Sequence, residues 1–163
     1  MPVEDLAYLI PILPALAFVI TFFFGKKMPS GGAIIPILAI ATSCVISVLI
    51  TVNLLQHPEE VVHQSVAWFS ILNLGVLIDP LAAVMLSMVT FVSLLIHIYA
   101  VGYMAHDPGK PRYFAETALF TAAMLGVCLS DNILQFFICW ELVGLCSYLL
   151  IGFWFHKQSA SDA

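Results

Sequence analysis

Five stretches of the chain run almost without ionised side chains, and short polar breaks separate them. Residues 6–25, 28–58 and 80–106 hold no Asp, Glu, Lys or Arg over 20, 31 and 27 positions. Residues 113–130 carry only Glu116 in 18 positions, and residues 132–156 carry only Glu141 in 25. A helix needs about 20 apolar residues to cross a bilayer. The pattern therefore predicts five spanning helices, at about 6–25, 32–55, 80–104, 113–130 and 132–155 of a single membrane region. Three of the breaks are turns: Met28-Pro29-Ser30-Gly31-Gly32, His106-Asp107-Pro108-Gly109-Lys110-Pro111 and Ser130-Asp131-Asn132. The fourth, residues 56–79, is too long for a turn. Val66, Trp68 and Ser70 precede Leu72-Asn73-Leu74-Gly75, and Val76 and Ile78 follow it, which suggests a β-hairpin folded about the Asn/Gly pair.

Composition narrows the class. Apolar residues make up 62% of the 163 positions and charged ones 9%, against about 25% charged in soluble domains. So few charges cannot clothe a soluble enzyme, and so apolar a chain is not disordered. Five Lys and Arg against ten Asp and Glu exclude the basic face of a nucleic-acid binder. What remains is an all-α integral membrane protein in contact with the lipid bilayer.

The charges also orient it. With the N-terminus outside, alternate spans put Lys26, Lys27, Lys110, Arg112 and Lys157 all inside, as the positive-inside rule demands. Glu4, Asp5, Glu59, Glu60, Asp79 and Asp131 fall outside, together with the hairpin. Glu4 and Asp5 before the first span, with two lysines after it, have the charge order of a retained anchor rather than a cleaved signal peptide. The C-terminus is then inside, and the expected location is the cell membrane, crossed several times.

The candidate chemistry lies in the few polar groups at membrane depth. Glu141 is ten residues into the last span, about 15 Å deep. A carboxylate there costs about 2.5–3.5 kcal/mol on insertion scales, so it must be protonated or paired with a cation. It suits a proton relay, and it also suits a structural bond to a neighbouring helix. Gly144 and Tyr148 follow one and two turns later on the same face. Ser87, Thr90, Ser93 and His97 recur every three to four residues, a polar stripe that could pass protons or simply bond to helix carbonyls and partner helices. Arg112 and Glu116 stand four apart, the spacing of an ion pair at a helix end near the interface. Asp79-Pro80 reads as an N-cap with Pro at the first helical position. Pro11, Pro14 and Pro36 bend or begin helices. Cys44, Cys128, Cys139 and Cys146 form no metal-binding or redox pattern. The chain shows no nucleotide loop and no activated nucleophile, so neither a cofactor nor a metal is expected.

From Trp140 to Trp154 the sequence closely resembles a segment of the antiporter-like membrane subunit of complex I, called subunit L or chain 5. Asp79-Pro80-Leu81, Leu95-Ile96-His97-Ile98-Tyr99, Tyr103-Met104, Arg112-Tyr113-Phe114 and Asp131-Asn132-Ile133-Leu134 look like that family in order and spacing. The resemblance implies a proton-translocating subunit of an NADH-quinone oxidoreductase-type complex, driven by electron transfer elsewhere and carrying no redox centre. It implies other membrane subunits of such an assembly as partners. It also matches Glu141 to the family's acid in this helix, whose partner is a lysine on a later helix, and His97 to a histidine beside the proton route. The outer hairpin matches one that braces neighbouring subunits. Leu142 departs from the Gly of many members, and Glu116 from their Tyr or Lys, so no role carries to Glu116. Members have about three times as many helices, so the chain reads as the N-terminal part of a larger subunit whose remainder, with the partner lysine, lies beyond Ala163. On that reading the isolated chain does not pump. Two other readings stay open: a subunit of a monovalent cation/proton antiporter, and a membrane scaffold that moves nothing.

Overall fold

The computed structural model describes residues 6–57, 61–69 and 72–155. Five helices follow in order: α1 Leu9–Phe24, α2 Ile34–Gln56, α3 Pro80–Tyr103, α4 Lys110–Leu129 and α5 Ile133–Ile151. With short 3₁₀ extensions at the ends of α1 and α5, all five are long and apolar enough to cross a membrane. The chain thus has the architecture of an integral membrane protein. Between α2 and α3, β1 (Val62–Phe69) and β2 (Leu72–Ile78) pair antiparallel.

The helices are antiparallel neighbours. α1 packs on α2 and α4, α2 on α3, and α4 also on α3 and α5. α4 is thereby the central helix, and the least apolar of the five. Its sequence explains both facts. Ala115, Ala118, Ala122, Ala123 and Gly126 keep its surface low, so backbones approach closely. The approach is tightest at Gly126, where a Cβ would press into the Cys139 thiol of α5. α5 lies at the edge and, apart from the fully buried Cys146, leaves its surface largely uncovered.

Pro14 inside α1 shows how a spanning helix tolerates a break. Proline has no N–H, so the carbonyl of Ile10, four residues back, loses its usual donor. The hydroxyl of Ser43 on α2 donates to that carbonyl at 2.9 Å, fully buried. Lipid offers no replacement donor, so the bond from a neighbouring helix answers a need that proline creates.

At one end of the bundle the connections are tight. After α1 the chain turns through Gly25–Lys27 and Pro29–Gly32, with Ser30, Gly31 and Gly32 at φ of +60°, +64° and +75°. At Gly32 a Cβ would stand 3.0 Å from the Gly25 Cα, so the turn needs glycine for space as well as for conformation. The same end holds the α3–α4 connection: Gly25 abuts Pro111, and Gly31 abuts the Lys110 side chain. Lys26, Lys27, Lys110 and Arg112 therefore share one end of the bundle, and Asp79 and Asp131 share the other.

The hairpin sits on that second end. Its strands pair from Val62↔Ile78 to Phe69↔Leu72, so Asn73 and Gly75 lie within β2 and not at the reversal. The turn placed at Leu72–Gly75 from sequence is thus corrected. Gly75 serves close packing instead: a Cβ there would overlap the Asp131 carboxylate. Gln135 on α5 clasps the same glycine, accepting from its N–H at 3.0 Å and donating to its carbonyl at 2.9 Å. Asn132 caps α5 by accepting from the Gln135 N–H at 2.8 Å and donates to Asp131 at 2.6 Å. His63 of β1 reaches Asp131 at 3.4 Å. Just before α1, burial and then the Asp131 charge push the Tyr8 phenol above its ordinary range.

Candidate functional site

The polar stripe on α3 points inward but does not form one row. Thr90, Ser93 and His97 are buried and Ser87 is half-buried. Ser87 turns to α2, where its hydroxyl meets that of Thr51 at 2.8 Å. Thr90 donates to its own helix, to the Leu86 carbonyl at 2.7 Å. Ser93 turns to α4 and meets the Thr121 hydroxyl at 2.6 Å. The stripe therefore divides: Ser87 joins α3 to α2, Thr90 bonds its own helix, and Ser93 and His97 face α4.

The members facing α4 form a small network. Thr121 hydrogen-bonds to the Thr117 carbonyl at 2.9 Å, and Thr117 to the Tyr113 carbonyl at 2.8 Å. His97 Nδ1 lies 2.8 Å from the Ser93 carbonyl. A carbonyl only accepts, so Nδ1 carries the hydrogen, and in the neutral ring Nε2 bears the lone pair. His97 is fully buried, and among the described residues its Nε2 has no hydrogen-bond partner. Its ring packs on Phe114 of α4 at 5.9 Å between centroids. The backbone thus fixes the imidazole in one tautomer, with Nδ1 as the donor. Beside this network a groove of about 310 Å³ opens between α3 and α4, with Ser93, Thr117 and Thr121 among otherwise apolar walls that include Met85, Met88 and Met124.

Glu141 lies elsewhere. It is exposed, on a helix that packs against α4, and it shares its uncovered face with Leu145 and Tyr148. Among the described residues, no atom beyond the adjoining backbone of its own helix lies within 4 Å of where a Cβ on Gly144 would stand, so this face offers open room for another helix. His97 is thus interior and Glu141 peripheral; the described chain does not bring them together. Tyr148 belongs to the Glu141 face and not to the α3 stripe.

Arg112 and Glu116 pair, Nε to Oε1, at 2.6 Å. The sequence placed both at an interface; the structure buries the carboxylate, whose side chain is 7% exposed against 43% for Arg112. α4 starts at Lys110, three residues earlier than expected, which moves Glu116 deeper into the helix. Arg112 also lies over the Phe153 ring, 5.6 Å from its centroid. Nearby, Trp154 donates to Asp107 at 2.9 Å, so the end of α5 is tied to the α3–α4 connection. Asp79 accepts from the Ala82 N–H at 2.7 Å and caps α3, with Pro80 at its first position.

Sequence reasoning missed Thr51, Thr117, Thr121 and Gln135. Thr117 and Thr121 did carry a signal, since they stand one turn apart. Gln135 carried none, because its partner is the backbone of a residue 60 positions away.

Comparison with known proteins finds relatives along most of the chain. Residues 68–114 match the family described as the N-terminus of NADH-ubiquinone oxidoreductase (complex I) chain 5, and residues 130–163 match the transmembrane region shared by NADH:quinone oxidoreductases and Mrp antiporters. The F(420)H(2) dehydrogenase subunit L of Methanosarcina mazei is 76% identical over 160 residues, which are 98% of this chain and 24% of that protein. The chain belongs to the complex I chain 5 family. A more distant member, the chloroplastic NAD(P)H-quinone oxidoreductase subunit 5 of Zygnema circumcarinatum, is 41% identical over 172 residues, covering 99% of this chain and 24% of its own. The chain thus spans about a quarter of the length of the curated relatives it matches. The fold recurs in a solved archaeal respiratory complex, the membrane-bound sulfane sulfur reductase, with a TM-score of 0.72 at 16% identity over 88% of this chain and 22% of that one. It recurs in the Mrp complex of Dietzia sp. with a TM-score of 0.69 at 23% identity, over 89% of this chain and 16% of that one.

Proposed function

We propose that the chain is the N-terminal part of a proton-translocating membrane subunit, working in a complex I-type oxidoreductase whose electron transfer takes place in other subunits. The observation that carries this reading is Glu141, an acid within a helix able to span a membrane, on a face that no described helix covers. Such an acid is costly in lipid. On this reading a cation on a later helix of the same subunit covers it, and protons load and leave through that pair. His97, with Nε2 open and its network toward Thr121, is a second proton-handling group. Ser87 and Thr90 serve helix packing. The relatives, a subunit L and a subunit 5 of dehydrogenase and quinone oxidoreductase complexes, support membrane partners of the same kind.

The basic end of the bundle, with Lys26, Lys27, Lys110 and Arg112, faces the cytoplasm, and the hairpin end faces outward. The hairpin then braces the outer ends of α4 and α5 and presents its free side to a neighbouring subunit. The membrane is the cell membrane. A second reading, a subunit of a cation/proton antiporter, is supported by the family match that includes Mrp antiporters.

The test is Glu141→Gln in the full-length subunit within its native complex, sealed into liposomes. Proton uptake should fall at least several-fold while the complex still assembles. Loss of assembly with normal residual pumping would favour a scaffold. Sodium-dependent transport without quinone reduction would favour the antiporter.

A further inference from the structure

A second carboxylate lies within the spanning helices, and the reading above does not use it. Glu116 of α4 is buried; Oε1 receives Arg112 Nε, and among the described residues Oε2 is buried without a partner. A buried carboxylate oxygen normally has a donor, and Oε2 is the free acceptor of this pair among the described residues. We propose that Glu116 is a proton-loading carboxyl at the basic end of the bundle, taking a proton at Oε2 while Arg112 holds Oε1. The proposal rests on the translocation reading and adds a residue to it.

The surroundings suit the role. Arg112 belongs to the same helix, is half-exposed and rests on Phe153, so its guanidinium links the bundle surface to the buried acid. α5 packs against α4, and Cys146 is its fully buried residue. α1 brings no ionisable side chain over Leu9–Phe24, and Lys26 and Lys27 in the turn after it are exposed. On α3 the ionisable groups are His97, Tyr99 and Tyr103, of which only His97 is buried. Arg112 is thus the one cation bonded to Glu116 among the described residues, and protonation of Oε2 leaves that bond with a neutral partner.

The step balances simply. A hydronium ion on the basic side gives its proton to Oε2; an O–H bond forms, water is released, and the Arg112 pair weakens. On discharge that O–H bond breaks, the proton passes to the next acceptor, and the full ion pair returns. Glu116 is buried on α4, while Glu141 lies apart on the uncovered face of α5.

The test uses the full-length subunit in its complex, in sealed liposomes. Glu116→Gln keeps an oxygen for Arg112 to bond but cannot load a proton. It should assemble, lower the protons moved per electron pair several-fold, and remove one carboxyl C=O band from the infrared difference spectrum. Glu116→Asp should restore part of both signals. Native pumping with an unchanged carboxyl spectrum in Glu116→Gln would overturn the proposal, as would equal loss in the Gln and Asp variants, which marks a residue that only packs. Should Glu116→Gln not assemble, Glu116→Asp decides by its own carboxyl band, whose absence counts against proton loading. Native pumping in Glu141→Gln would instead sink the translocation reading itself.

Discussion

Gly75 shows how much one missing methyl group can decide. From sequence it looked like turn chemistry. In the fold it lies within a strand, and the carboxylate of Asp131 occupies the space that a side chain would need. Gly75→Ala should therefore lift the hairpin from the α4–α5 turn, break both bonds to Gln135, and cost about 1–3 kcal/mol. Asp131→Ala in the same chain should recover a good part of that loss, because it removes the clash. Thermal unfolding of the detergent-purified protein, compared across single and double variants, reads this directly; a destabilisation that Asp131→Ala does not relieve would mean that space is not the cause. Glu116 carries the same lesson with opposite sign. Its spacing from Arg112 was plain in the sequence, but its burial, with Oε2 unbonded among the described residues, depends on how the helices pack.

Between helices, the contacts are small side chains and single hydrogen bonds. Lipid is as apolar as leucine, so helices gain little by hiding apolar faces from it. Close approach at alanine and glycine does the packing on α4, and hydroxyls supply the polar ties: Ser43 to Ile10, Thr51 to Ser87, and Ser93 to Thr121. Of these the first answers the sharpest need, since Pro14 strips the Ile10 carbonyl of its donor. Ser43→Ala should cost about 1–2 kcal/mol and loosen α1 from α2 while leaving each helix formed. Unfolding in detergent, with helix content followed by circular dichroism, separates the two effects. Pro14→Ala in the same chain supplies the missing N–H, so it should make the Ser43 change nearly silent. A Ser43 change that costs as much in the Pro14→Ala background would refute the argument.

The bundle as a whole has two unlike ends and one unlike side. Four of the five basic residues gather at the end formed by the turns after α1 and α3. If that end is cytoplasmic, Lys27→Cys should react with a membrane-impermeant thiol reagent only from the inside, and His63→Cys on the hairpin only from the outside. Labelling in intact cells against inverted vesicles checks both, and the reverse pattern would invert the topology. The unlike side is α5, whose uncovered face carries Glu141 and Tyr148. Much of this was legible in the chain. The number of spans follows from uninterrupted apolar length, because a charge in a spanning segment is costly enough to leave a gap in the pattern. The cap at Asp79 and the spacing of Arg112 and Glu116 are local relations, within four residues, so helix geometry alone brings the partners together. What composition and periodicity leave open is which helix touches which. A spanning helix apolar on every side carries little record of its neighbours, and each of these five is apolar nearly all round. Only the packed structure could put α4 at the centre, split the α3 stripe between α2 and α4, bury Glu116, and leave Glu141 facing outward.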